Sequence, residues 1–100
     1  MLNNFILVGR LAKELEVKKE GEKSYCEIQL AIPRPFKNEE GIYDTDFITV
    51  LAFDTIATNT CDYCKKGDVI GAKGRIQSNE NKMELIAERI TFLSSKTKED

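Results

Sequence analysis

Residues 25–32 alternate strictly between two kinds of side chain, and this alternation constrains the fold more than any other feature of the sequence. One set contains Cys26, Ile28, Leu30 and Ile32, and the other contains Tyr25, Glu27, Gln29 and Ala31. Successive side chains of a β-strand point to opposite faces, so a period of two predicts a half-buried strand. Pro33 and Pro35 follow, and we expect them to end the strand because proline cannot donate to a sheet ladder.

Four further segments have the composition of strands: residues 5–11, 46–53, 69–78 and 83–93. In the segment 46–53, Ile48 and Val50 share one face, whereas Phe47 and Phe53 lie on the other. The polar segment 18–23 (KKEGEK) predicts a turn, residues 36–43 a solvated hairpin loop and residues 79–82 a tight turn.

One short helix is expected after the third strand. Asp54 or Thr55 can cap it, and Gly67 provides a stop signal. At helical spacing, one side carries the stripe Ile56, Ala57, Thr60, Cys61, Tyr63 and Cys64. The order of three strands, one helix and two strands predicts an all-β fold, the five-stranded Greek-key barrel called the OB-fold, with the helix between strands 3 and 4.

Composition bounds the function. One hundred residues with a formal net charge of −2 fit one domain, over residues 1–94, with a short polar tail over 95–100. A near-neutral chain is a mild argument against nucleic-acid binding, although the position of a charged patch matters more than the sum. Neither a membrane segment nor a signal peptide is evident. Three cysteines, an odd number, favour reduced thiols and hence the cytoplasm.

Catalysis is not indicated by any motif. Cys61 and Cys64 form a CxxC pair, which is typical of redox sites and of zinc half-sites. Zinc needs four ligands, however, and the chain adds only Cys26 and contains no histidine. We therefore interpret the cysteines as core residues and expect no metal, no cofactor and no enzyme activity.

Rings and cations on outward faces suggest a surface for unpaired nucleic acid. Such surfaces combine aromatic platforms for bases with positive charge along the backbone. Phe47 and Phe53 face away from the expected core, unless they pack in the barrel or at a subunit interface. The further candidates are Arg34, Phe36 and Lys37 before the hairpin loop, and Lys73, Arg75 and Gln77 on the fourth strand. Arg10 faces either the groove or an acidic neighbour, and the sequence does not decide between them.

Six blocks of sequence, in order, resemble the bacterial single-stranded DNA-binding protein family. After the start MLNN they include LVGRL at 7–11, LAIPRPFK at 30–37, TDFITV at 45–50, YCKKG at 63–67, GRIQ at 74–77 and FL at 92–93. The resemblance covers residues 1 to about 93. It implies an OB-fold, binding of single-stranded DNA with little sequence preference in replication, recombination or repair, and stacking rings at Phe36, Phe47 and Phe53.

The resemblance also implies assembly and partners. An exposed edge at residues 5–11 would pair with its copy in a homodimer, and the family commonly forms tetramers, so we expect a homo-oligomer, a tetramer in preference to a dimer. Replication or recombination proteins are possible partners in a cytoplasmic, nucleoid-associated role. The last hairpin is short and lacks the family's aromatic residue, and the chain stops without an acidic, aromatic-tipped tail. These departures leave a primosomal-type OB-fold adaptor in replication restart as the alternative.

Overall fold

The computed structural model describes residues 1–95, which form six strands and one helix. The elements are β1 (Phe5–Leu11), β2 (Lys18–Glu20), β3 (Lys23–Lys37), β4 (Tyr43–Phe53), α1 (Asp54–Tyr63), β5 (Val69–Asn79) and β6 (Lys82–Ser94). The predicted tail therefore lies outside the described residues, apart from its first position.

The strands close into a barrel. Hydrogen-bonded neighbours follow the order β1-β5-β6-β4-β3-β2, and β1 also pairs with β3, which joins the two sides. All pairs are antiparallel except β4 with β6. Five strands thus form a closed barrel, with α1 between its third and fourth strands in chain order. This confirms the predicted OB-fold.

The barrel core consists of the inward-facing side chains of the alternating strands. Leu11, Ile28, Leu30, Val50 and Ile70 are almost completely buried. Burying side chains of this kind stabilises the fold by about 1.5–3 kcal/mol each. The alternation in β3 therefore predicts correctly which side chains enter the core.

The prolines do not end β3, contrary to the prediction. The strand continues to Lys37, with a register shift between Pro33 and Lys37. Beyond Ala31, β3 has a ladder partner only on the β4 side. Proline is tolerated on such an edge because its missing N–H faces no neighbouring strand.

The loop after β3 is shorter than predicted, since strands occupy both ends of the segment 36–43. The side-chain oxygen of Asn38 accepts hydrogen bonds from the backbone N–H groups of Glu40 and Ile42, at 2.8 and 3.0 Å. This compact turn holds the extension of β3 against the start of β4. We call the paired residues 33–37 and 43–45 the hairpin arm.

The segment predicted as one turn at 18–23 contains a strand. β2 pairs with residues 23–25 of β3, and only Gly21 and Glu22 remain in the turn, where Gly21 has a φ of 65°. Its charged residues show no apolar alternation, so the periodicity argument could not detect it.

The helix begins without the expected cap. Phe53 occupies the N-cap position and makes no capping hydrogen bond, so neither Asp54 nor Thr55 serves that role. Ala57 and Thr60 are buried as predicted, but Tyr63 is 76% exposed and does not belong to the buried stripe. Gly67 does not stop the helix, which ends at Tyr63. The N–H of Gly67 instead donates to the carbonyl of Leu11 on β1.

The three thiols lie at or near the core. Cys26 and Cys64 are buried, Cys61 is half-buried, and all three are free. Burial, together with the neighbouring Cys61, raises the pKa of Cys26 to about 12. Among residues 1–95 no cluster of acidic, cysteine or histidine side chains could hold a metal ion. No helix in that range has the length and apolar character needed to cross a membrane.

Candidate nucleic-acid interface

Strands β3 and β4 present a continuous outward surface, which we call the β3–β4 face. The ladder sets its side chains in four opposed pairs: Tyr25 with Phe53, Glu27 with Leu51, Gln29 with Thr49, and Ala31 with Phe47. Opposed residues of an antiparallel pair lie on the same side of the sheet, with Cβ atoms about 4.5–5.5 Å apart. Aromatic rings therefore stand at both ends of the face, and three polar side chains and Leu51 lie between them.

Phe47 is the most open ring of the face. It is 61% exposed although it lies only three residues before the buried Val50 on the same strand. It faces Ala31, and Ala31 pairs with Arg10 of β1, so the three residues form one row. The Arg10 guanidinium donates to the carbonyl oxygen of Gly67 at 2.7 Å, which holds it without neutralising its charge. A ring and a cation thus share this row.

The hairpin arm adds two more rings and a cation. Phe36 is also 61% exposed, and Tyr43 is similarly open. The Lys37 ammonium lies 5.7 Å from the centre of the Tyr43 ring, within the range of a cation–π contact. The arm therefore carries Phe36 and Lys37, both predicted from the sequence, beside Tyr43.

Arg34 is bound to acidic neighbours. Its guanidinium donates to both carboxylate oxygens of Asp46, the shortest contact being 2.9 Å, and lies 3.7 Å from a carboxylate oxygen of Asp44. These hydrogen bonds and charges raise the pKa of Arg34 and lower the pKa of Asp46. A phosphate can reach Arg34 only by competing with these carboxylates.

Phe53 lies at the opposite end of the face and is half-buried. Its ring centre is 6.4 Å from that of Tyr25, with the ring planes tilted by 41°. Lys18 of β2 pairs with Tyr25, which adds a cation to this row. Its ammonium lies 3.5 Å from a carboxylate oxygen of Glu27.

Arg75 and Gln77 extend the surface across the barrel. The register runs from Glu27 through Leu51 of β4 and Ile86 of β6 to Arg75 of β5. Arg75 donates to the side-chain oxygen of Gln77 at 2.9 Å and lies 3.6 Å from Glu88. Both predicted residues are thus connected to the β3–β4 face, in a more acidic setting.

Lys73 lies elsewhere, on a surface that we call the β1–β5 face: Ile6, Val8, Gly71, Lys73 and Arg89. The register places Lys73 between Ile6 of β1 and Arg89 of β6. Ile6 is 73% exposed, and the lysine has no ion-pair partner within residues 1–95. Lys73 therefore lies towards β1, although it shares the outward side of β5 with Arg75 two residues away.

Sequence reasoning missed four side chains of these surfaces. Tyr25 shares the outward parity of its strand, and that parity was the available signal. Tyr43 becomes a candidate only because the register sets it opposite Lys37. Lys18 becomes one only because it lies in β2, a strand whose sequence predicts a turn. No sequence pattern indicated that Arg89 lies beside Lys73, because its position depends on a bulge in β6.

Comparison with known proteins identifies the family. The family model described as the single-strand binding protein family matches residues 2–93. The single-stranded DNA-binding protein 3 of Listeria innocua is 36% identical over 96% of this chain and 66% of that protein. The single-stranded DNA-binding protein B of Bacillus subtilis is 33% identical over 99% of this chain and 96% of its own length.

Solved structures agree on the fold. The SSB domain of a Synechococcus protein superposes with a TM-score of 0.73 at 16% identity, over 91% of this chain and 96% of that one. A small single-stranded DNA-binding protein from Streptomyces coelicolor gives 0.72 at 21% identity, over 92% and 94% of the two chains. The family-model match over residues 2–93 establishes that this protein belongs to the single-strand binding protein family.

Proposed function

We propose that the protein binds single-stranded DNA along the β3–β4 face and the hairpin arm, without recognising a defined sequence. The observation that carries the proposal is the row of exposed rings on ordered strands, Phe36 and Tyr43 on the arm and Phe47 on the face. Rings of this kind gain nothing for stability by facing water. Each can stack on an unpaired base, which contributes about 1–3 kcal/mol of binding free energy.

Cations beside the rings would hold the DNA backbone. Lys37 accompanies Tyr43, Arg10 accompanies Phe47, and Lys18 accompanies Tyr25 in the ladder. Neutralising a phosphate releases counterions, so affinity falls as salt rises. Duplex DNA keeps its bases stacked inside the helix and cannot reach the rings. The proposed activity is binding alone, in replication, recombination or repair in the cytoplasm, and needs no catalytic group.

Assembly with a second copy is part of the proposal. Residues 5–10 of β1 pair with β5 on one edge, whereas β3 reaches only Arg10 and Leu11 on the other. The remaining backbone groups of β1 offer an edge to a partner strand. Ile6 and Val8 are exposed beside it. A symmetric dimer through β1 would pair this edge, and we expect two dimers to form a tetramer.

The adaptor alternative is not favoured, because the matching relatives are named single-stranded DNA-binding proteins. The division into a barrel over 1–94 and a tail over 95–100 stays a prediction, as do replication or recombination proteins as partners.

Titration of labelled oligo-dT, followed by fluorescence anisotropy at several salt concentrations, tests the proposal. We expect tight binding that weakens steeply with salt, and poor competition by duplex DNA of the same length. Equal affinity for duplex and single strands would contradict the stacking model. Light scattering on the same samples measures the mass, and a monomer at micromolar concentration would rule out the assembly.

A further inference from the structure

A cleft of about 220 Å³ opens on the β3–β4 face between its two aromatic ends. Its floor is formed by Glu27, Gln29 and Thr49. Its wall is formed by Lys13, Glu14 and Glu16 of the segment between β1 and β2, and by Lys18 at the start of β2. The proposed function uses the rings on either side of this cleft but assigns no role to the cleft itself.

The ladder brings three hydrogen-bonding side chains together on this floor. Gln29 is directly opposite Thr49, and Glu27 lies two residues along β3 on the same side. Two residues of a strand span about 7 Å, so each polar row adjoins one aromatic row. The row of Gln29 and Thr49 adjoins the row of Phe47, and the row of Glu27 adjoins the row of Phe53. A strand that crosses the face from ring to ring must pass over this floor.

The net charge of the cleft lining disfavours a phosphate over its floor, and a phosphate held by Lys18 would lie at the rim. Three carboxylates outnumber two ammonium groups among its lining residues. The side chain of Glu27 is 55% exposed, and its contact with Lys18 is a long surface pair that engages only one oxygen. Such exposed pairs contribute about 0–1 kcal/mol and exchange readily. The carboxylate is therefore available to accept hydrogen bonds, which the edge of a base can donate.

We infer that Glu27, Gln29 and Thr49 form a subsite that reads the edge of one base and favours bases with an exocyclic amino group. A carboxylate accepts from the N4 amino group of cytosine. The amide of Gln29 and the hydroxyl of Thr49 can donate to the acceptors beside it. Thymine presents the O4 carbonyl in place of the amino group, and that oxygen repels a carboxylate. The inference rests on the proposed function and adds a composition preference to it.

Competition between oligo-dC and oligo-dT of equal length tests the subsite, because the two pyrimidines have rings of the same size. We expect the unmodified protein to prefer oligo-dC by about fivefold, the lower end of the range for a well-placed base contact. Glu27→Ala should bring the two affinities together. Glu22→Ala is the matched control, since it removes the same charge from an exposed turn beside β2 and should keep the preference.

The ratio of the two affinities separates the outcomes. If Glu27→Ala and Glu22→Ala each raise the affinities for oligo-dC and oligo-dT by the same factor, the effect reflects charge alone and overturns the subsite. Equal affinities in the unmodified protein, or a preference that survives Glu27→Ala, also overturn it while leaving single-strand binding intact. Absence of binding to either oligomer overturns the proposed function, and the subsite with it.

Discussion

The two faces of β4 differ completely although they alternate residue by residue. Val50 and Ala52 are fully buried in the barrel, whereas Phe47 on the opposite face is mostly exposed. In an ordinary two-sided sheet the exposed face would be polar. An exposed phenylalanine on an ordered strand therefore indicates a ligand, and the comparison implies that stability and binding can be changed separately.

The largest expected effect is on stability, from the inner face. Ile28→Ala should lower the free energy of unfolding by about 2–5 kcal/mol, because the side chain is fully buried and leaves a cavity. Chemical denaturation measures this loss, and Ile28→Val should cost only about 0.5–1.5 kcal/mol. The affinity of the folded fraction for oligo-dT should not change. A matching loss of affinity would show that the two faces are not independent.

The outer face should respond in the opposite way. Phe47→Ala removes an exposed ring, so we expect affinity for oligo-dT to fall by about five- to a hundredfold with little change in melting temperature. Phe92→Ala is the matched control, since it removes an exposed ring from β6, outside the β3–β4 face and the hairpin arm. Normal binding by Phe47→Ala would remove the central ring from the proposed interface.

Phe53 should contribute to both stability and DNA binding, because it is half-buried beside Tyr25. Phe53→Ala should weaken binding by about 1 kcal/mol, near the lower end for one stacked base, and should also lower the melting temperature. Melting and anisotropy on the same variant test both effects. A variant that melts far lower yet binds normally while folded would identify Phe53 as a packing residue only.

Salt dependence distinguishes the cations of the arm. Lys37→Ala should reduce the slope of log affinity against log salt by about 0.7, the value for one lost phosphate contact to a single strand. Arg34→Ala should change the slope less, because Asp46 already pairs with the guanidinium. Anisotropy titrations over a salt series measure both. Equal slope changes would show that DNA displaces Asp46 completely.

The last prediction concerns Cys26 on the inner face and is confined to alkaline pH. Burial raises its pKa to about 12, whereas the unfolded thiol keeps the ordinary value of 9.0. A raised pKa stabilises the fold below pH 9, and this contribution is lost as pH rises from 9 towards 12. Urea denaturation across that range should show a steeper decline for the unmodified protein than for Cys26→Ala. Parallel profiles would contradict the assignment.

The alternation of polar and apolar residues predicted the barrel strands and their inward faces because burial on one side imposes a period of two. The same reasoning failed where burial does not act. β2 and the hairpin arm are exposed and bury no core side chain, so their sequences carry no apolar pattern. Proline is excluded from a ladder only when a strand has neighbours on both sides, and the sequence does not reveal that β3 loses one.

The alternation of the strands also made the candidate DNA-binding site partly predictable. Parity predicted that Phe47 and Phe53 face outwards, but it does not reveal which outward residues share a row. That depends on register and on the β6 bulge beside Lys73, which sets the lysine opposite Ile6 and Arg89. The contact of Arg34 with Asp46 likewise depends on how the arm pairs.

Closure of the barrel has a kinetic consequence. β1 pairs with β5 from the other end of the chain, and β4 gains its second neighbour only from β6, the last strand. Folds dominated by such distant pairings form slowly, in milliseconds to seconds. During synthesis, β3 and β4 leave the ribosome with their rings and unpaired edges before β5 and β6 can cover the other side. The inner faces and unpaired edges of β3 and β4 are then exposed to aggregation until the last strand docks.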